Sequence, residues 1–212
     1  MHPALDIELF EGREVGMCQA KRELSLENHR VILTVTRLVR RKGVDQVICA
    51  LPKVLQAIPD AFYLVVGEGT MRLEWESLAK AVGVSHRVAF TGRVSDEQLP
   101  LYYSACDVFV LVSRLERNIS SVEGFGIVYL EAGAFGKPVI AGNQGGVADA
   151  VEPGVTGIVV DSEVPESIAN ALCKVLENPE LAREMGERGK ERAWVPTDWR
   201  IVSDRMVNNS AL

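Results

Sequence analysis

Short apolar runs alternate along most of the chain with segments whose apolar residues recur every three and four positions. The runs are residues 31–36 (VILTVT), 61–66 (AFYLVV), 87–90 (RVAF), 107–112 (DVFVLV), 138–141 (PVIA) and 157–160 (GIVV). They are rich in β-branched residues and lack polar alternation, as strands buried on both faces of a parallel sheet do. After the first run, Val44, Val47, Ile48, Leu51, Val54, Leu55 and Ile58 share one helical face. Pro52 sits inside that pattern, and its missing N–H predicts a kink or a break. Further helices are expected over 71–82, from Ser95 to about residue 105, around the small residues 132–136, up to residue 151, and over 165–177, 179–192 and 198–208. Ser95 and Gln98 have capping-box spacing. Residues 1–30 are polar and read as irregular.

Strands alternating with helices in this way make an α/β chain. The expected architecture is a doubly wound, six-stranded parallel, Rossmann-like sheet with helices on both faces. The expected organisation is an N-terminal extension or linker over 1–30, one domain over 31–192 and a C-terminal helix over 193–212. Sheets of this kind take ligands at the carboxyl ends of their strands. Arg37, residues 67–69, Arg93, Glu123 and residues 142–146 all follow strands, so one edge is expected to gather them.

Composition narrows the chemistry. The 212 residues are 47% apolar and 25% charged, an ordinary balance for a globular chain. A net charge of −6 argues against nucleic acid as the main partner, because phosphate backbones need a basic footprint, but it leaves small anions open. No apolar run approaches the ~18 residues of a membrane span. Residues 1–6 lack the basic flank and apolar core of a signal peptide. Cys18, Cys49, Cys106 and Cys173 are widely spaced, and the last three lie in apolar patterns, which suits reduced core cysteines in a cytoplasmic protein. No D-x-D occurs, residues 67–69 lack the third glycine of a dinucleotide fingerprint, and His2, His29 and His86 have no matching partners.

Two features stand out against this background. Arg37 and Lys42 flank a turn that enters a helix. The free N–H groups and dipole of a helix start attract anions, so two cations there form a candidate diphosphate clamp. At ~4 Å and an effective dielectric of ~20, each charge pair contributes about 4 kcal/mol before desolvation. A solvated basic turn is the alternative. The second feature is residues 122–132 (VEGFGIVYLEA), where Glu123 and Glu131 stand seven intervening residues apart across a glycine-rich helix entry. Carboxylates accept hydrogen bonds and suit sugar hydroxyls. Between them, the backbone N–H groups of Phe125, Gly126, Ile127 and Val128 are candidates to face an anion. A simple dipole partner for Glu123 and a surface position for Glu131 are the alternatives.

The pieces TRLVRRKGVD (36–45), VVGEG (65–69), FTGRVS (90–95), EGFGIVYLEA (123–132), GGV (145–147) and GVTG (154–157) follow one another in this order. On them, the chain resembles the C-terminal, donor-binding domain of retaining glycosyltransferases of the GT-B fold, group 1 (family 4). The resemblance implies one half of a GT-B fold. It also implies transfer of a hexosyl unit from a nucleotide-diphosphate sugar (UDP-, GDP- or ADP-linked) to an acceptor hydroxyl. No cofactor and no metal are implied, which agrees with the missing D-x-D. Arg37 and Lys42 would hold the diphosphate and offset charge on the departing nucleotide, and Glu123 would contact the donor sugar near the reacting carbon. Phe125, Gly126, Ile127 and Val128 lie between the two acids, the last three supplying N–H groups to sugar or phosphate. Glu131 would bind the ribose hydroxyls, and Arg93 and Val94 would lie beside the base.

Relatives of this kind carry a second α/β domain that supplies the acceptor contacts. Residues 2–10 (HPALDIELF) resemble the connection that precedes the donor domain. The resemblance therefore implies a chain that begins at that hinge, binds the sugar donor and does not turn it over alone. Acceptor contacts, and any peripheral membrane association, would come only through the missing domain. Trp199, Ile201, Val202 and Met206 would belong to a C-terminal helix that packs on it. The loop at 114–121 (RLERNISS) is longer than in many relatives. The competing readings are a non-catalytic nucleotide-binding module and an epimerase or phosphorylase fragment of similar fold.

Overall fold

The computed structural model describes residues 12–114, 126–144 and 147–193. The apolar runs form β1 (Arg30–Val35), β2 (Ala61–Val66), β3 (Val88–Gly92), β4 (Val108–Leu111), β5 (Val139–Gly142) and β6 (Gly157–Val160). Among the described residues these strands make one sheet in the order β3-β2-β1-β4-β5-β6, with every neighbouring pair parallel. The chain winds outward from β1 to β3, then crosses to β4 and winds outward the other way. The fold class is the doubly wound α/β sheet that the pattern predicts.

Both faces of the sheet are covered, which is why the strands are continuously apolar. Ile32, Tyr63, Val65, Val108 and Val110 pack on one face with α2 (Val44–Ala57), α3 (Arg72–Ala81) and α7 (Pro165–Leu176). Val31, Leu33, Leu64, Val66, Phe109 and Leu111 turn to the other face, with α4 (Leu99–Ala105), α5 (Ile127–Ala134) and α6 (Val147–Ala150). An outer layer adds α1 (Met17–Glu23) on α4 and α8 (Pro179–Ala193) on α5. Each fully buried aliphatic side chain contributes about 1.5–3 kcal/mol.

Several local expectations change. Pro52 lies inside α2, yet the helix runs unbroken from Val44 to Ala57. Its flanking Leu51 and Val54 are fully buried and α2 packs along α7, so tertiary packing overrides the one missing N–H. Within the stretch read as irregular, residues 17–23 form α1, because Ala20 is buried and Lys21 reaches Asp107, 86 residues away. The helix expected from Ser95 starts at Leu99. Gln98 does accept the Ser95 N–H, at 3.1 Å, but the Ser95 hydroxyl bonds Glu97 instead of capping the helix. The small residues 132–134 end a helix that begins at Ile127, and residues 135 and 136 lie beyond it. Cys106 is a core residue whose thiol burial pushes up to about 12, whereas Cys49 is exposed. The helix expected over 198–208 lies outside the described residues. Among the described residues no helix is long and apolar enough to cross a membrane.

Asp107 ties the amino ends of the two central strands together. Its Oδ2 accepts the Val31 N–H at 2.6 Å and the Lys21 ammonium at 2.7 Å, and its own N–H donates to the Val31 carbonyl at 2.8 Å. The Lys21 and Asp107 side chains are mostly buried, so removing one leaves the other charge poorly solvated. Asp107→Ala is expected to lower unfolding free energy by about 1–3 kcal/mol in urea titration. Glu74→Ala, which deletes the exposed pair with Arg40, is expected to cost under about 1 kcal/mol.

Candidate functional site at the reversal of strand order

The winding direction reverses between β1 and β4, which are adjacent strands. The chain leaving β1 enters α2 on one face, and α5 begins above β4 on the other. Parted loops at such a point leave a crevice at the carboxyl edge.

The β1 side of the crevice is basic. Arg37 is exposed just past the strand, and Leu38 behind it is fully buried. The Leu38 N–H donates to the Glu68 carbonyl at 2.9 Å and its carbonyl accepts from Met71 at 3.0 Å, which fixes the loop against the end of β2. A 3-10 turn, Arg40–Lys42, then carries Lys42 into a nearly buried position. Gly43 follows at φ +69, and a Cβ there would lie 2.2 Å from the Val112 carbonyl oxygen. Only glycine lets the start of α2 approach the end of β4 so closely. The same contact is locked from the β4 side: the Arg114 N–H donates to the Arg41 carbonyl at 2.8 Å, and its guanidinium donates to Asp45 Oδ2 at 2.7 Å.

The β4 side is the start of α5. Gly126 adopts φ +70 and Ile127 opens the helix, so the first-turn N–H groups of Ile127 and Val128 have no carbonyl within the helix to serve. Tyr129 pins this turn, donating its hydroxyl to the Leu111 carbonyl at 2.7 Å while its ring meets Phe109 edge-on at 6.0 Å. The helix start is thereby held over the last residue of β4.

Glu131 lies one turn further along α5. It is half-buried, and its Oε2 accepts the Tyr103 hydroxyl at 2.6 Å. Burial raises its carboxyl above the ordinary range; the Tyr103 bond opposes the rise and the field of Asp96 adds to it. Asp96 belongs to the segment between β3 and α4, so that segment runs close to Glu131. Val94 in the same segment packs against the core cluster of this face, as Leu99 and Val128 do, and Arg93 beside it is exposed.

Arg37, Lys42, Arg93, Val94, Gly126, Ile127, Val128 and Glu131 thus all lie at the carboxyl edge. Glu123 and Phe125 fall outside the described residues. Tyr103, Tyr129 and the Arg114–Asp45 pair were not singled out from sequence. A buried tyrosine needs a hydroxyl partner, which is the one general signal that could have pointed to Tyr103. Among the described residues no group of three or more His, Cys, Asp and Glu side chains is placed to hold a metal. Two surface cavities, of about 490 and 380 Å3, lie elsewhere: one against α8 near Gly154, the other at the amino edge near Arg30 and Lys137.

A doubly wound sheet with a basic turn and a helix start at the reversal of strand order is an arrangement that suits anionic ligands, and comparison with known proteins narrows it. The sequence profile of the glycosyl transferases group 1 matches residues 19–192. The chain belongs to that family. It is 35% identical over 198 residues to a GDP-mannose-dependent alpha-(1-6)-phosphatidylinositol monomannoside mannosyltransferase of Mycobacterium tuberculosis, covering 93% of this chain and 51% of that protein. A monoacylated-substrate counterpart from Corynebacterium glutamicum is 39% identical over 178 residues, covering 84% and 46%. The chain therefore spans about half the length of the curated relatives it matches. Among solved structures, Anabaena Alr3699/HepE in complex with UDP and glucose superposes with a TM-score of 0.78 at 25% identity, covering 98% of this chain and 55% of that one. The C-terminal domain of a group 1 glycosyl transferase from Francisella tularensis shares the fold, with a TM-score of 0.73 at 24% identity, covering 89% and 95%.

The raised Glu131 carboxyl has a measurable consequence. A carboxyl whose folded value is raised holds its proton more tightly in the folded state, so its ionisation subtracts stability as pH rises from the unfolded value through the folded one. Glu131→Gln keeps an acceptor for Tyr103 and removes the charge. Thermal melts should show the variant more stable than the parent at pH 7, with the gap closing as pH falls towards 4.

Proposed function

We propose that this chain is the sugar-donor-binding half of a retaining glycosyltransferase, and that its donor is a nucleotide-diphosphate hexose, GDP-mannose first among them. The observation that carries the reading is the convergence on one crevice of the Arg37–Lys42 turn and the first turn of α5. Cations and free N–H groups there suit a diphosphate. Two relatives at 35% and 39% identity are named for GDP-mannose, which favours that donor over the UDP-glucose pairing suggested by a neighbour at 25%.

In this reading the diphosphate sits between Arg37, Lys42 and the N–H groups of Gly126, Ile127 and Val128. Charge grows on the nucleotide as the sugar leaves, and fixed cations and amides in a sheltered crevice stabilise it without reorganising. That is the work a metal does in other transferases, so no metal is required. Glu131 accepts the ribose hydroxyls, Arg93 and Val94 flank the base, and Phe125 and Glu123 lie towards the donor sugar, with Glu123 beside the reacting carbon. The acceptor and its activating groups belong to a second domain, so this chain alone holds the donor and does not transfer it.

Calorimetry with GDP, GDP-mannose, UDP and ADP tests the reading. GDP and GDP-mannose are expected to bind most tightly, with EDTA without effect. Arg37→Ala and Lys42→Ala should each weaken binding by about tenfold or more, the size of one charged hydrogen bond. Affinity should fall as pH drops through the raised Glu131 value, because a protonated carboxyl loses its acceptor strength. Unchanged binding in both cation variants sinks the donor-site assignment, and sugar transfer by the 212-residue chain overturns the division of labour.

A further inference from the structure

Tyr103 is fully buried, and its ring is fixed from two sides. It stacks on Phe135 at 5.5 Å, from the end of α5, and lies 6.0 Å from Phe109 of β4. The next residue is held as well: the Ser104 carbonyl accepts the Lys137 ammonium at 2.9 Å and its hydroxyl accepts the Val15 N–H at 3.2 Å. The Tyr103 hydroxyl therefore has a fixed position, set by the core rather than by its own torsions. It donates a hydrogen bond to Glu131 Oε2 at 2.6 Å, across 28 residues of sequence.

A glutamate has three side-chain torsions, and a free carboxylate loses that freedom only when a ligand arrives. An anchored one has already lost it. Oε2 is occupied by Tyr103, whereas no hydrogen bond to Oε1 is made by a described residue. Carboxylate oxygens only accept, so Oε1 has acceptor capacity left for a donor, and vicinal hydroxyls supply donors.

We propose that Tyr103 is a positioning residue for nucleotide recognition: its core-locked hydroxyl holds Glu131 Oε2 so that Oε1 stands ready for the vicinal hydroxyls of a ribose, and the chain thereby selects ribonucleotides over their 2′,3′-dideoxy analogues. This rests on the ribose role of Glu131 given above. Tyr103 touches no ligand in this arrangement and acts through Glu131.

Among the described residues, the groups that act on the Glu131 carboxylate are Tyr103 from α4 and Asp96 from the segment before it. Asp96 remains in every variant below, so a change in pH profile reports the hydroxyl alone. Deleting that hydroxyl removes the influence that holds the carboxyl down, so its protonation moves to higher pH.

The test uses the full chain with GDP and 2′,3′-dideoxy-GDP, titrated calorimetrically across pH 4–8. The parent should prefer GDP. Tyr103→Phe should lose about tenfold in GDP affinity, as for one hydrogen bond to a charged group, with dideoxy-GDP affinity unchanged. The pH midpoint for GDP binding should rise in that variant. Glu131→Gln should erase the GDP preference, and adding Tyr103→Phe to it should cost nothing more, since the two act as one unit. The double variant also removes the buried charge, so it reports even if Tyr103→Phe alone folds poorly. If the parent binds both nucleotides equally, the ribose role of Glu131 fails and takes the proposal with it. If Glu131→Gln erases the preference but Tyr103→Phe lowers both affinities equally with no shift in midpoint, the ribose role stands and Tyr103 is only a packing residue.

Discussion

Two adjacent strands of one parallel sheet send their chains to opposite faces. After β1 the chain turns into α2, whose apolar residues join Ile32 and Val110; above β4 stands α5, whose apolar residues join Leu33 and Phe109. Where strand order reverses in such a sheet, a crevice lies outside the strand ends. The crevice is thus a consequence of topology, and the rest of the site consists of what the local sequence places on its two rims. Gly43 sets how near the rims approach, because any side chain there would strike Val112. Arg114 then clamps the rims with one backbone bond and one ion pair to the start of α2.

Electrostatics on the rims follows from the same constraint. Two helix starts meet at the reversal, and each presents N–H groups without intrahelical partners. Basic residues before a helix oppose its dipole, so an anion held there is favoured. Arg40, Arg41 and Lys42 occupy such a turn, with Lys42 nearly buried. The carboxylate of Glu131 stands away from this point, half-buried beside the loop that follows β3. In the proposed reading, these positive and negative features suit a ligand carrying phosphate in its middle and hydroxyls beside it.

Much of this was legible in the sequence because it depends on burial and on strand ends. Strands buried on both faces leave unbroken apolar runs, and the residues that follow them fall on the ligand edge whatever their spacing. That logic put Arg37, residues 67–69 and Arg93 at one edge before any contact was known; Lys42 and Glu131 came from the basic turn and from the resemblance. What stayed hidden depends on pairs distant in sequence. The helix at Met17–Glu23 is short and weakly patterned, and is ordered by Ala20 packing inward and by Lys21 meeting Asp107. α2 passes through Pro52 because α7 packs along it. Tyr103 stayed unmarked, since nothing local shows that its hydroxyl meets Glu131 on another element. The resemblance supplied the family and the matching residues; the hydrogen bonds that set their posture came only from the three-dimensional arrangement.

The central claim is that the ligand lies across the β1–β4 reversal. Amide shift mapping of the isotopically labelled chain, titrated with GDP-mannose, tests it most directly. The account predicts the largest shifts at Arg37 to Gly43, at Arg93 and Val94, and at Ile127 to Glu131. Shifts centred instead on the amino-edge cavity near Arg30 and Lys137, with the first turn of α5 unmoved, would contradict it.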